Sequence, residues 1–333
     1  MAQPRTDILK QPIPMLLATF VALLAALVVR SLGDSVASAG GAVALSSVGE
    51  WVDGRLGSTM SYVVGVLSVA LSSVIITRIT SRYSLSVIRS FVPMVLYVVC
   101  ACGVVYPMGS PSVGLALLMI VHAVELMILS FRRTEQFGSV MRAAFWSGMA
   151  AMLVPDLVYV VALLPLHWVV WQRSVREMVA ATIMLLLPML YGSVGYWFVG
   201  ESFGWFAQSW VEALRGWHFV DWGVLYESLG SLLGAVLFGA ITLLTLVSMA
   251  VFALGYGTMR IRARKGHVVF SATYLMGLFM LIVVGLPAEL ALPVMGIGAA
   301  PLIYTFFVKH KGALSTIIYV AVVILSIVVS FLS

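Results

Sequence analysis

Charged residues are scarce in this chain of 333 residues: they make up 10% of it, whereas soluble domains contain about 25%. Hydrophobic residues account for 62%, so too few polar side chains remain to cover the surface of a water-soluble globule. The composition therefore excludes a soluble enzyme or a soluble binding domain. It is typical of a polytopic membrane protein, in which apolar helices of about 20 residues cross the bilayer.

Cysteines and enzyme signatures are also scarce. The two cysteines, Cys100 and Cys102, lie two positions apart and point to different sides of a helix, so we expect no disulfide between them. The sequence lacks a phosphate-binding glycine loop, a nucleophile elbow, an HExxH motif and a cysteine–histidine cluster. These absences exclude the chemistries that those signatures mark, and no metal or other cofactor is evident.

Eleven apolar segments indicate an all-α polytopic membrane protein with about eleven transmembrane helices and no soluble domain. We expect the first segment to be a membrane span and not a cleaved signal peptide, because no small-residue cleavage site closely follows it. The fifth and sixth are predicted to form one short helical hairpin over 139–172 that turns at Pro155-Asp156. The predicted spans are 13–31, 58–77, 90–107, 112–131, 139–154, 157–172, 178–198, 228–255, 268–286, 290–307 and 313–332.

The basic residues predict the orientation in the membrane. If 139–172 is a hairpin, 16 of the 19 Lys and Arg residues fall on one side, which the positive-inside rule makes the cytoplasmic side. The exceptions are Arg30, Arg55 and Arg215. The N-terminus is therefore predicted to be cytoplasmic and the C-terminus external. No nucleic-acid partner is expected, because the basic residues occur as short clusters between spans.

Two stretches on the predicted external side have helical periodicity. Residues 43–56 and 204–218 both place apolar residues at helical spacing, and the second is rich in tryptophan. Tryptophan at the depth of the lipid headgroups anchors helices in the interface. We therefore predict two interfacial helices on the external face, which either tether loops or contact a lipid substrate. The predicted anchors are Trp205, Trp210 and Trp217.

His122 and Glu125 form a polar pair in the middle third of the fourth predicted span, on one face of the helix. A charge at mid-membrane costs about 2.5–3.5 kcal/mol on insertion scales, so the pair is expected to face the bundle interior. It either hydrogen-bonds its neighbours and fixes the rotation of the helix, or belongs to a proton or ion path, or lies beneath a substrate cavity. A metal site is not expected, because two ligands are too few.

Three further polar groups are predicted within the membrane or at its edge. His167 lies in the sixth span, Asp156 at the hairpin turn and Glu227 at the mouth of the eighth span. Gly230 and Gly234 follow Glu227 at a spacing that would let another helix approach closely.

From about residue 82 to residue 203, the chain resembles an uncharacterised domain-of-unknown-function family of multi-pass inner-membrane proteins in the Bacteroidota. The resemblance lies in "RYSLSVIRSFVPMVLYVV" and "AAFWSGMAAMLVPDLVYVVALLPLHWVVWQRSVREMVAATIMLLLPML", over about a third of the chain. Its most distinctive part is Arg173, Ser174, Arg176 and Glu177, followed by a span with Pro188. The resemblance implies a bacterial inner-membrane location and no particular activity. In that membrane, the orientation predicted from the basic residues places the C-terminus in the periplasm.

The layout also resembles that of the GT-C glycosyltransferases, which use polyprenyl-phosphate-linked sugars. In that fold an external acidic residue and an interfacial helix follow the first span; here Asp34 follows it, and "WSGMAAMLVPDLVYVVALL" resembles the later hairpin. The resemblance implies a carboxylate acting as general base on an acceptor hydroxyl. The candidate bases are Asp34, Glu50 and Asp53, and the candidate ligands of the lipid phosphate are Arg30, Arg55 and Arg215, or a divalent cation.

Three functions are compatible with the sequence. The leading hypothesis is a non-catalytic or structural subunit of cell-envelope assembly, with other envelope proteins as partners. The second is a GT-C-like glycosyltransferase in envelope glycan assembly, with a polyprenyl-phosphate lipid as partner. The third is a proton-coupled transporter or flippase, in which His122, Glu125 and His167 line an interior path. Membrane lipid is a partner in all three.

Overall fold

The computed structural model describes residues 13–33, 43–82, 90–103, 109–130, 136–171, 173–198, 200, 203–310 and 312–332. Throughout these ranges the regular secondary structure is helical, and no strand occurs in them. The predicted all-α fold is thereby confirmed. Seven of the helices described are long and apolar enough to cross a membrane, as expected of an integral membrane protein.

Fourteen α-helices are described in chain order. They are α1 (Ile13–Gly33), α2 (Ser47–Arg55), α3 (Ser58–Arg82), α4 (Val92–Cys102), α5 (Pro111–Leu129), α6 (Gln136–Leu153), α7 (Leu163–Trp171), α8 (Val175–Phe198), α9 (Trp205–Arg215), α10 (Trp222–Ser228), α11 (Leu232–Leu254), α12 (Ile261–Phe279), α13 (Ala288–Lys309) and α14 (Ala313–Leu332). A 3-10 segment, Pro155–Ala162, leads directly into α7, and a π-helical segment, Met280–Val284, continues α12.

The seven candidate spans coincide with seven of the eleven predicted ones: α3, α5, α8, α11, α12, α13 and α14. The first, third and sixth predicted spans correspond to shorter apolar stretches: Ile13–Val29 within α1, Val92–Ala101 within α4, and Pro155–Val170 across the 3-10 segment and α7. The fifth corresponds to α6, which is 18 residues long and contains Arg142. Eleven membrane crossings therefore stay a prediction.

The eighth predicted span, 228–255, begins later in the structure than predicted. The short helix α10 ends at Ser228, and α11 begins at Leu232 after an N-cap at Ser231. Between them Gly230 has a φ of 72°, a left-handed conformation that glycine adopts without the steric cost of a Cβ. The prediction that Gly230 and Gly234 form a helix-packing face is wrong, because Gly230 lies outside α11.

Close packing through small residues occurs around α13 instead, the most buried of the seven candidate spans. A Cβ on Gly296 would lie 2.6 Å from the Cβ of Ala101 in α4. One on Gly298 would lie 2.3 Å from the carbonyl oxygen of Phe270 in α12. These glycines let three helix backbones approach closely, which is how membrane helices commonly pack. Helix α13 is thus the centre of the bundle.

The π-helical segment joins α12 to the connection between α9 and α10. The carbonyl oxygen of Val284 accepts a hydrogen bond from the backbone N–H of His218 at 3.1 Å, and that of Ile282 accepts one from Val220 at 3.0 Å. These bonds satisfy carbonyl groups near the end of the helix, which lack intrahelical partners.

The chain reverses direction between α6 and α7. Helix α6 ends at Leu153, and the 3-10 segment starts at Pro155. After α7, the guanidinium of Arg173 donates a hydrogen bond to the carbonyl oxygen of Ser130, which directly follows α5. Helix α6, the 3-10 segment and α7 therefore form a helical hairpin, and the chain after α7 returns to the end of the bundle where α5 finishes. We call the end of the bundle with Ser130 and Arg173 the basic end, and the end with the Leu153–Asp156 turn the acidic end.

Candidate functional sites at the two ends of the bundle

Helix α2 is fixed to the start of α5 at the acidic end by Asp53. One carboxylate oxygen of Asp53 accepts from the Ser110 hydroxyl at 2.7 Å, and the other from the Ser112 backbone N–H at 2.9 Å. Ser110 is the N-cap residue of α5, but its own side chain makes no capping bond. The first N–H groups of a helix lack partners and carry partial positive charge, so a carboxylate there is favourable. Asp53, a predicted catalytic base, therefore caps α5.

Asp156 joins the residues before α2 to the hairpin turn. Its side chain is buried, and its carboxylate accepts a hydrogen bond from the backbone N–H of Ala44. Close by, the backbone N–H of Ser46 donates to the carbonyl oxygen of Leu153 at 3.1 Å. Asp156, like Asp53 a predicted site residue at this end, thus holds the segment before α2 against the hairpin turn.

Helix α9 packs on the hairpin with part of its apolar face. Phe206 is buried, and the indole N–H of Trp210 donates to the carbonyl oxygen of Ala151 at 3.0 Å. The Tyr159 hydroxyl donates in turn to the carbonyl oxygen of Ala213 at 2.8 Å. Trp217, which follows the helix, is 57% exposed. The apolar face therefore contacts protein as well as solvent or lipid, and an interfacial position of α2 and α9 stays a prediction.

The other predicted residues of this end do not converge on one site. Glu50 is exposed on α2, and the guanidinium of Arg55 lies 5.6 Å from the centre of the Trp51 ring. Arg215 is exposed in the last turn of α9. Asp34 and the side chains of Arg30, His167 and Trp205 lie outside the described part of the structure.

Glu227 does not lie where the sequence predicts it. It is exposed on α10, before the break at Gly230, and therefore outside the span α11. Residues 228–231 thus separate it from α11, whereas the sequence predicted a span that starts directly after it.

At the basic end, Glu125 connects three helices. Its side chain is 3% exposed, forms an ion pair with Arg78 of α3 and lies 3.2 Å from Nδ1 of His122. The His122 ring packs edge-on against Trp146 of α6, with 5.7 Å between the ring centres. These contacts are the ones that a structural role in fixing α5 requires, and they also place a titratable group beside a cation.

The depth of Glu125 differs from the prediction. Helix α5 ends at Leu129, so Glu125 lies about one turn from its end and in its last third, whereas His122 does lie in the middle third. Arg78 likewise lies one turn from the end of α3. The ion pair is therefore close to the basic end, where an ionised group is less costly than at mid-membrane.

A cavity of about 410 Å³ opens beside this ion pair, between the last turns of α3 and the start of α4. The sequence indicated Arg78 as one of the charges that set the orientation and did not predict a site there. The missing information is how α3 packs on α4, which forms the other wall of the cavity, and on α5, which carries Glu125 47 positions from Arg78. The residues that line the cavity are Val74, Thr77, Arg78, Ser81, Ser90, Phe91 and Met94.

The chemistry of the described residues and the comparisons with known proteins leave the activity open. Within the described ranges no three His, Cys, Asp or Glu side chains come together to hold a metal ion. Comparison of the chain with models of protein families, with curated proteins and with solved structures finds no match. The fold therefore defines the class, an all-helical protein with several membrane-span-like helices, and both family resemblances stay expectations.

Proposed function

We propose that the protein is a non-catalytic, structural subunit of cell-envelope assembly in the bacterial inner membrane. The observation that supports this function is the engagement of Asp53 and Asp156 by the chain's own donors. A general base in a glycosyltransferase must reach the acceptor hydroxyl within hydrogen-bonding distance. Both carboxylates instead hold α2 and the segment before it against α5 and the hairpin.

The surface proposed for partner subunits is formed by α8, which buries the smallest share of its surface among the seven candidate spans. Ile183 and Tyr191 on this helix are 59% and 68% exposed. Small and aromatic residues on such a surface can pack against the helices of a neighbouring protein as well as against lipid. Helix α5, by contrast, is largely enclosed by its own chain.

The test is site-specific photo-crosslinking in native membranes, followed by a complementation assay. A crosslinking residue at Ile183 or Tyr191 is expected to give a discrete adduct with one envelope protein, and one at the buried Leu117 of α5 to give none. Tyr191→Ala should reach normal abundance but fail to restore envelope integrity to a deletion strain. Crosslinks to lipid alone, together with full complementation by Tyr191→Ala, would contradict the structural function.

A catalytic result would contradict it as well. For a transferase that uses Asp34 as its base, Asp34→Asn should reduce turnover of a polyprenyl-phosphate-linked sugar by about 10²–10⁴-fold. For a structural subunit, the wild-type protein itself is expected to show no turnover in this assay.

The proposal includes the orientation: the basic end lies in the cytoplasm and the acidic end in the periplasm. The hydrogen bond from Arg173 to the Ser130 carbonyl oxygen supports it, because it places the start of α8 and the end of α5 on the same side. In a chain with Cys100→Ala and Cys102→Ala, single cysteines at positions 136 and 175 should resist a membrane-impermeant reagent applied from the periplasmic side, and Glu50→Cys should react. Reaction at both positions would invert the orientation, and reaction at one would rule out the hairpin crossing.

A proton-coupled transporter is the second candidate, which the arrangement of Arg78, Glu125 and His122 beside a cavity favours. The purified protein in liposomes would then carry a proton flux, measured with an enclosed pH-sensitive dye. Glu125→Gln keeps the shape of the side chain but removes the titratable proton, so it should abolish that flux. Wild-type liposomes without flux would exclude this candidate.

A further inference from the structure

The cavity between α3 and α4 combines a cation with an apolar track. Its α3 wall consists of residues at positions 74, 77, 78 and 81, a spacing that places them on one helix face. Arg78 on this face is 46% exposed, whereas the carboxylate of Glu125 behind it is 3% exposed. The cavity therefore meets the guanidinium and not the carboxylate.

The lining is ordered from polar to apolar along the helix axes. Ser81 and Ser90 lie nearest the basic end, since they are at the end of α3 and just before α4. Met94 lies about one turn further into the bundle than Ser90, and Val74 about two turns further in than Ser81. A soluble anion would use the polar part alone. A molecule with a charged head and a hydrocarbon tail matches the whole surface.

We propose that this cavity binds one anionic phospholipid, with its phosphate at Arg78 and an acyl chain along Val74 and Met94. Arginine presents five N–H donors in a planar fork, so one guanidinium can bind a carboxylate and a phosphate together. Basic pockets between membrane helices are known binding sites for phospholipid head groups. The sequence also places Arg82 and Arg89 directly after Ser81 and directly before Ser90, which adds positive charge to this stretch. The site does not depend on the proposed structural function.

The first experiment titrates the purified full-length protein, in a neutral detergent, with phosphatidylglycerol or phosphatidylcholine and counts bound lipids by native mass spectrometry. We expect one phosphatidylglycerol to bind about tenfold more tightly than phosphatidylcholine, because both carry a phosphate but only the choline head group adds a cation, which Arg78 repels. Arg78→Gln should remove this preference. Arg142→Gln changes an exposed arginine of α6 and should keep the preference within about twofold.

A second pair of variants leaves the ion pair intact, in case Arg78→Gln impairs folding. Val74 is 51% exposed and lines the cavity, so Val74→Trp should fill the apolar track and lower phosphatidylglycerol binding about tenfold. Val63 is 46% exposed on the same helix but away from the cavity, and Val63→Trp should bind as the wild type does.

Three outcomes would overturn the proposal. Equal binding of the two lipids by the wild type would show that the cation does not select an anionic head group. Equal losses in Val74→Trp and Val63→Trp would show that the cavity is not the site. Displacement of the lipid by millimolar glycerol phosphate would make it a site for a soluble phosphate ester.

Discussion

The acidic and basic ends of the bundle use opposite charges for the same purpose. At the acidic end Asp53 accepts from the Ser112 N–H in the first turn of α5, and at the basic end Arg173 donates to the Ser130 carbonyl group after its last turn. Lys309 approaches the Val251 carbonyl oxygen near the end of α11 in the same way, at 3.4 Å. An acid at the start of a helix and a base at its end both oppose the helix dipole favourably.

The use of acids at one end and bases at the other explains part of the uneven charge distribution along the sequence. Basic residues indicate orientation by the positive-inside rule, and acidic ones contribute little to it. In the structure, members of both groups also satisfy backbone groups that helix ends leave without partners. Glu125 departs from the pattern, as a buried acid at the basic end, and it has Arg78 and His122 as partners.

The largest effect is expected from Arg78→Leu, which leaves the buried Glu125 carboxylate without its cation. Breaking a buried ion pair costs about 3–5 kcal/mol, and the half-exposure of Arg78 reduces the expected loss of unfolding free energy to about 2–4 kcal/mol. The measurement is unfolding in mixed micelles with increasing SDS. The double variant Arg78→Leu/Glu125→Leu should recover part of the loss, and a double variant less stable than Arg78→Leu would show that no ion pair was broken.

The capping of α5 is tested by Asp53→Ala, for which we expect a loss of about 1–2 kcal/mol in the same unfolding assay. The reason is that the N–H of Ser112 and the hydroxyl of Ser110 lose their acceptor. Glu50→Ala, an exposed change on the same helix, is the control and should stay within about 0.5 kcal/mol of the wild type. Equal stability of the two variants would remove the capping role.

Arg173→Gln tests the corresponding interaction at the other end of α5. The Arg173 side chain is 5% exposed, and its loss removes a charged donor from the Ser130 carbonyl group, so we expect about 1 kcal/mol of destabilisation. The matched control is Arg176→Gln, because Arg176 is exposed one turn along the chain. If both variants lose the same stability, the effect is one of net charge and not of the hydrogen bond.

The smallest effect should come from an uncharged contact at the acidic end. Trp210→Phe removes the indole N–H that donates to Ala151, at an expected cost of about 0.5–1 kcal/mol. Trp217 is 57% exposed, so Trp217→Phe should leave the unfolding free energy nearly unchanged. A larger loss for Trp217→Phe would mean that this residue, and not Trp210, anchors the segment.

The helical class and the positions of the seven long apolar helices could be predicted from the sequence, because they depend on hydropathy summed over about 20 residues. The break at Gly230 was not predicted, although Glu227, Ser228 and Ser231 around it are polar, because hydropathy averaged over about 20 residues carries no information on backbone dihedral angles. The same limit explains why close helix packing was expected at Gly230 and Gly234 but occurs at Gly296 and Gly298.

The sequence identifies the polar candidate residues but not the residues that they contact. Asp53 and Ser112 are 59 positions apart, and Arg78 and Glu125 are 47 apart, so neither pair produces a local pattern. His122 and Glu125 were paired correctly in space because three positions along a helix fix their separation. The cavity beside Arg78 forms where α3 packs on α4, so it could not be predicted from the sequence alone.

The hydrogen bonds between the π-helical segment and residues 218–220 have a steric consequence. They attach the connection after α9 to the last turns of α12, which lead through the left-handed Gly285 into α13. The connection thus restricts which residue can stand at the end of this segment: a Cβ at position 285 would lie 2.3 Å from the carbonyl oxygen of His218, so only glycine fits there.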